Sequence, residues 1–189
     1  MLPRSLFPLR YTGFFSAGDR ADGTAILQYA NGDLYKGQFR ATQRDGHGML
    51  MFNGGGCYDG SFVRDAMTGV GELSGADGSL FKGMLVDGKP HGDGHLTYAN
   101  GNVFHGKWAF GARTDGPARM DYSDGASTHG KGRVDTYDGE WLSEKPHGRG
   151  EMIYADGGKY VGDWKEGGRS GTGYMTYASG DRFEGDWFQ

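Results

Sequence analysis

The side chains best suited to chemistry in this 189-residue sequence are its six histidines, its one cysteine and the acids beside them. His91 and His147 head two copies of one tetrad, His91-Gly92-Asp93-Gly94 and His147-Gly148-Arg149-Gly150. A repeated local geometry explains that placement better than general acid–base work does. His95 and His105 lie close to Asp93, a set of ligand types that suits a divalent metal. Neither spacing matches a zinc pattern, however, and no cysteine joins them. Cys57 follows Gly54-Gly55-Gly56 at the expected start of a strand and reads as a small filler. No Gly-x-Ser-x-Gly elbow presents a serine nucleophile, and no Gly-x-x-x-x-Gly-Lys-Ser/Thr loop cradles a phosphate. With no convergent acid, base and nucleophile, the expectation is no catalytic residue, no metal, no cofactor and no enzyme activity.

What recurs instead is aromatic. Aromatic-x-Gly-x-aromatic occurs at Tyr35-Lys36-Gly37-Gln38-Phe39 and Tyr58-Asp59-Gly60-Ser61-Phe62, and as Phe104-His105-Gly106-Lys107-Trp108. It returns at Tyr137-Asp138-Gly139-Glu140-Trp141, Tyr160-Val161-Gly162-Asp163-Trp164 and Phe183-Glu184-Gly185-Asp186-Trp187, with Phe81-Lys82-Gly83-Met84-Leu85 as a variant. The leading positions 35, 58, 81 and 104 are 23 residues apart, as are 137, 160 and 183. Between them runs a second pattern, Gly-x-Leu/Met-x-aromatic, ending at Phe52, Tyr98, Tyr154 and Tyr177. Both step by two, which puts the quoted residues on one face of an extended strand and the polar residues between them on the other.

These elements must be short strands joined by tight turns. Glycine, 38 of 189 residues, is far above the usual share of roughly 7% and rules out a helical protein. Only five prolines and no three-residue glycine period exclude collagen, and 26 aromatics argue against disorder. Asn31-Gly32, Asp77-Gly78, Asn100-Gly101, Asp156-Gly157 and Ser179-Gly180 predict two-residue type I′ hairpin turns. The His-Gly-x-Gly tetrads are expected in the return connections. Glycine between two aromatics leaves room for a ring to lie across the strand.

Taken together, these motifs closely resemble the MORN repeats, whose consensus reads YxGxW, then HGxG, then YxxG. The resemblance covers about residues 11–189. It implies an all-β protein, an elongated, twisted single-layer antiparallel meander of about eight β-hairpin repeats, used mainly in protein–protein assembly. MORN-only chains similar to this one are typical of cilia, flagella and membrane-linked cytoskeleton. The resemblance therefore implies a non-catalytic scaffold in the cytoplasm and cytoskeleton, for example a radial-spoke-like complex of the axoneme. A single layer cannot bury its aromatic face fully, so Tyr35, Phe39, Tyr58, Phe62, Tyr98, Phe104, Trp108, Tyr137, Trp141, Tyr154, Tyr160, Trp164 and Tyr177 are expected to form a protein-binding groove. Trp108, Trp141 and Trp164 are its first expected contacts.

The pattern breaks in three places, which divide the chain into an extension over 1–10, a repeat run over 11–125, an insertion over 126–134 and a second run over 135–189. Tyr11-Thr12-Gly13-Phe14-Phe15 is a degenerate first strand, one residue out of register. The step from 104 to 137 is 33 residues and carries a second tetrad, His129-Gly130-Lys131-Gly132, in an enlarged loop that is either a docking point or plain solvated chain. At the far end Phe183, Trp187 and Phe188 form an open strand edge, a candidate contact for another protein or a second copy of the chain.

Charge narrows the partner class. Residues 1–44 carry six basic and three acidic side chains, 45–110 four and seven, and 111–189 ten and fourteen. No segment has the basic excess that holds nucleic acid. Peripheral binding to membrane lipid or phosphoinositide, the alternative reading, would rest on Arg4, Arg10, Arg20, Lys36, Arg40 and Arg44. A lone cysteine fits a reducing compartment.

Overall fold

The computed structural model describes residues 8–13, 15–16, 19–20, 22–123 and 134–188. Most of the insertion expected over 126–134 therefore lies outside the described residues, as do Met1 to Phe7. Every element among those described is a β-strand. The chain divides into two compact units, up to Gly94 and from His95 onward.

The first unit contains β1 (Pro8–Thr12), a two-residue pair β2 (Phe15–Ser16) and β3 (Asp19–Arg20), then β4 (Gly23–Tyr29), β5 (Leu34–Arg40) and β6 (Gln43–Met51). It continues through β7 (Cys57–Val63), β8 (Ala66–Ser74) and β9 (Leu80–Val86). Strand β10 (Lys89–Thr97) spans the division. The second unit holds β11 (Val103–Ala109), the short β12 (Ala112–Arg113), β13 (Gly116–Tyr122) and β14 (Asp135–Leu142). After these come β15 (Lys145–Ile153), β16 (Lys159–Lys165), β17 (Gly168–Thr176) and β18 (Arg182–Trp187). In each unit the strands pair antiparallel with their sequence neighbours, save that β4 pairs with β1 and β13 with β11. Strand β1 begins at Pro8, three residues ahead of the expected start at Tyr11.

Turn chemistry differs from the expectation, and the difference is systematic. Around Asn31-Gly32, the Gly32 amide donates to the Tyr29 carbonyl and the Tyr29 amide to the Asp33 carbonyl. Only the glycine has positive φ, +91°. This is a three-residue loop, a type I turn closed by a glycine bulge. The same bond pair recurs at Tyr98, Tyr154 and Tyr177. Genuine two-residue turns with both φ positive occupy the other connection, at Ala41-Thr42, Arg64-Asp65 and Ser143-Glu144. The His-Gly-x-Gly tetrads are therefore not connections. Those of His91 and His147 lie within the long strands β10 and β15, the second at the bulge that shifts register between Gly139 and Trp141, while that of His129 lies outside the described residues.

A single sheet has no second layer to bury its aromatic face, and ring geometry supplies the core instead. Tyr137 meets Trp141 of its own strand at 5.3 Å between centroids and Trp164 of the next repeat at 5.0 Å, both edge to face. Tyr160 repeats this with Trp164 at 5.3 Å and Trp187 at 5.1 Å, and Tyr35 with Phe39 and Phe62. Each such pair contributes roughly 0.5–1.5 kcal/mol beyond the area it buries. The leading tyrosines Tyr35, Tyr58, Tyr137 and Tyr160 are completely buried. Each lies across the glycine two residues on and the glycine paired with it on the next strand, as Tyr58 does over Gly60 and Gly71.

Candidate interaction surface

The groove predicted from the aromatic stripe is largely closed by the chain itself. Tyr35, Phe39, Tyr58, Phe62, Phe104, Tyr137 and Tyr160 are core residues. Trp108, Trp141 and Trp164, singled out as first contacts, are also buried, because each indole is packed against the leading ring of its own strand. Trp141 Nε1 donates to the Ala118 carbonyl at 3.0 Å, and Trp164 Nε1 to that of Gly150 at 3.2 Å. What the aromatic face leaves accessible is its second column, with Tyr98 and Tyr154 half-buried and Tyr177 43% exposed, and the last strand, β18.

Strand β18 departs from every earlier copy. Phe183, in the position where Tyr35, Tyr58, Tyr137 and Tyr160 are fully buried, is 44% exposed, and Phe188 is 90% exposed. The cause is local: Tyr137 is covered across Gly139 and Gly150, residues on two paired strands, whereas among the described residues β18 has a partner on one side only, β17. The Trp187 Nε1 donor is buried without an acceptor among the described residues, unlike its counterparts in Trp141 and Trp164.

Three arginines complete this face, one of them, Arg44, a cation of the lipid alternative and the other two without a role in the sequence motifs. Arg44, Arg113 and Arg169 each stand nine residues after a leading aromatic and lie over the rings. Arg44 is 5.0 Å from the Phe62 centroid and 5.5 Å from that of Tyr35. Arg113 is 4.7 Å from Phe104 and 5.7 Å from Trp141, and Arg169 is 4.2 Å from Trp187 and 5.6 Å from Tyr160. The signal was their common register, hidden because Met67, Pro90 and Pro146 hold that position in the other repeats. Two of the three are tied to an acid in the following turn. Arg44 Nε is 3.1 Å from Asp65 Oδ1, and Arg113 Nη2 is 3.3 Å from Glu144 Oε2.

The residues weighed for chemistry are spent elsewhere. His95 and His105 do meet, with ring centroids 4.5 Å apart. The carboxylate beside His105 is Asp121, at 3.2 Å, rather than Asp93, and it also accepts from Arg119 and Thr136. Burial pushes the Asp121 carboxyl up, but these donors outweigh it and hold it below the ordinary range. Cys57 Sγ accepts from Ser74 Oγ at 3.3 Å. Among the described residues no three His, Cys, Asp or Glu side chains converge as metal ligands.

Comparison with known proteins places the fold. No curated protein matches the chain by sequence. Among solved structures it is similar to the TCP domain of SAS-4 from Drosophila melanogaster in complex with a proline-rich motif of Ana2. The TM-score is 0.52 and the identity 16%, over 97% of this chain and 95% of that one. The TCP10c domain of Drosophila melanogaster Sas-4 gives a TM-score of 0.50 at 17% identity, over 87% and 93%. At these identities the likeness is one of fold. The family model for the MORN repeat matches residues 35–57, 58–80, 81–103, 137–159 and 160–182, each beginning on a leading aromatic and together covering more than half of the sequence, so the chain belongs to the MORN-repeat family.

Proposed function

We propose that this protein is a non-catalytic interaction scaffold that binds other proteins through the second aromatic column and the β18 edge. The observation that carries the reading is the change along the ring ladder. Phe183 is 44% exposed where the equivalent rings are buried, so apolar area coincides with a strand that is paired on one side only among the described residues. Exposed aromatics rimmed by polar groups serve as interface anchors, and an unpaired strand edge is a template for a partner strand. The similar SAS-4 domain, which was solved with a peptide motif of another protein, lends support by analogy of fold. The assembly we favour is cytoskeletal and in the cytoplasm, of the ciliary or flagellar axoneme type, such as a radial-spoke-like complex.

The lipid alternative is weakened by the fate of its cations. The Arg44 side chain is only 16% exposed and bound to Asp65, and Arg40 lies 3.6 Å from Asp45. Appending a soluble capping hairpin after Gln189 tests the scaffold reading. Loss of protein partners from the capped chain is the expected result, and unchanged partner recovery would overturn use of the edge. Flotation with anionic vesicles, sensitive to salt and lost with Arg10 and Lys36 neutralised, would instead favour lipid.

A further inference from the structure

Three tyrosines of the second column, Tyr98, Tyr122 and Tyr154, are half-buried in one row across the strands of the second unit. Tyr98 closes its hairpin against Asn102, which the register carries to Tyr122, since Val103 pairs with Asp121. Tyr122 pairs with Asp135, and Thr136 with Ile153, which brings Tyr154 into the same row. Each tyrosine is therefore two strands from the next. At a strand spacing of about 4.8 Å, the phenols repeat every two strands, about 9.6 Å.

Their hydroxyls differ from those of the leading column. The Tyr137 and Tyr160 hydroxyls donate to carbonyls of their own strands. Those of Tyr98, Tyr122 and Tyr154 donate to no acceptor among the described residues. Burial pushes their ionisation up, so each is a protonated donor at neutral pH. The repeat does not require a hydroxyl there, because Phe52 holds the position in one copy and Gly75 in another. A run of three phenol donors on one period is thus a property of the second unit and not of the fold.

We propose that this row binds a proline-rich segment of a partner protein, held as a polyproline II helix across the strands with each phenol donating to a backbone carbonyl. The proposal rests on the scaffold reading and names the partner's chemistry at the second aromatic column. Period selects the occupant. A polyproline II helix rises about 3.1 Å per residue and turns once in three, so one face returns about every 9.3 Å. Over the three rings it stays in phase to within about 0.6 Å. An α-helix brings one face back after seven residues, about 10.5 Å, and is three times further out of phase over the same rings. A β-strand covers about 10 Å in three residues but presents its opposite face there. Polyproline II also has no internal hydrogen bonds, which leaves its carbonyls free to accept. Aromatic-lined grooves are the usual seat of such segments.

The test uses the full chain and a synthetic peptide of four Pro-Pro-Ala triplets, about 37 Å of polyproline II helix, with binding followed by calorimetry. Saturable binding is expected. Tyr98→Phe, Tyr122→Phe and Tyr154→Phe keep the rings and should each weaken it about two- to tenfold. Tyr174→Phe, on the opposite face of the sheet, should leave it unchanged. One alanine inserted between the second and third triplets puts the halves out of phase and should weaken binding about as much as one lost hydroxyl. Circular dichroism verifies that each variant is folded. Absence of saturable binding overturns the proposal, as does binding indifferent to all three phenylalanine changes combined. Equal binding of the inserted peptide, or of a helical peptide of Glu-Ala-Ala-Ala-Lys repeats, overturns the argument from period and the proposal with it. The scaffold reading fails separately, if a chain carrying the three changes and the capping hairpin recovers the same protein partners as the unaltered chain.

Discussion

The Tyr58 hydroxyl donates to the Ser61 carbonyl at 2.9 Å, on its own strand and three residues away. The same bond recurs from Tyr35 to Gln38, Tyr137 to Glu140 and Tyr160 to Asp163. It satisfies a hydroxyl inside a core only one sheet deep, and it explains how a tyrosine can serve as the most buried residue of a repeat. Phe81 and Phe104 hold the same position without a hydroxyl to satisfy, so it is the ring that the position demands.

These phenols predict an alkaline limit to stability. Burial raises the ionisation of Tyr35, Tyr58, Tyr137 and Tyr160 above the ordinary value of 10.0. A folded-state pKa above the unfolded one means that the native state keeps protons the unfolded chain gives up. The stabilisation is therefore complete below about pH 10 and declines as pH rises through the folded values. Urea midpoints measured across that range should fall, with tyrosinate absorbance appearing together with unfolding. Titration of all eleven tyrosines before any loss of structure would refute the claim.

The glycines of the ladder predict a sharp contrast within one repeat. A Cβ on Gly60 would lie 2.5 Å from the Tyr58 hydroxyl oxygen and 2.7 Å from the Gly71 Cα, and neither backbone nor buried ring can retreat. Gly60→Ala should cost about 1–3 kcal/mol by overpacking. Gly54→Ala, whose Cβ meets nothing within 4 Å and whose φ is not positive, should be neutral or stabilising by about 0.5 kcal/mol. Equal losses from the two changes in chemical denaturation would remove the ring-over-glycine explanation.

Period and face were legible in the sequence because they depend on spacing alone. Tyr35, Gly37 and Phe39 must share a face whatever surrounds them, and the structure buries all three. The turns were misassigned because Asn-Gly is only the strongest signal for a type I′ turn and not a requirement. At Asn31-Gly32 the loop gained a residue and only Gly32 took positive φ, while Arg64-Asp65 adopted the two-residue turn without a glycine. Stacking explains that second case: the Asp65 amide donates to the Arg44 carbonyl and its carboxylate accepts from the Arg44 amide, contacts between residues 21 apart that local propensity cannot register. Which aromatics stay accessible was equally hidden. Whether Trp141 is groove or core depends on Tyr137 and Phe104 closing around it.

The same turns predict a gain. Thr42 sits at φ +66° after Ala41 at +46°, and a β-branched residue is poorly suited to that region. Thr42→Gly should stabilise the chain by about 1 kcal/mol, the scale of left-handed strain for a residue with a side chain. Because neighbouring turns of this kind end in Gly88, Gly111 and Gly167, the backbone accepts glycine there. An unchanged or lower thermal midpoint would show that the turn is not strained.

The arginine ladder separates two contributions that the geometry superimposes. Arg113 is 13% exposed and lies 4.7 Å from the Phe104 centroid, while its partner Glu144 is 74% exposed. An ion pair with one such exposed partner is worth little, so Glu144→Gln should cost no more than about 0.5 kcal/mol. Arg113→Met keeps the aliphatic packing but removes the cation from the rings, and should cost about 1–2 kcal/mol. Urea denaturation at low and high salt checks both. The Glu144 effect should fade with salt, whereas the Arg113 effect should persist, because the cation–ring contact is shielded from solvent. The reverse order would mean that the acid, rather than the rings, fixes each guanidinium in place.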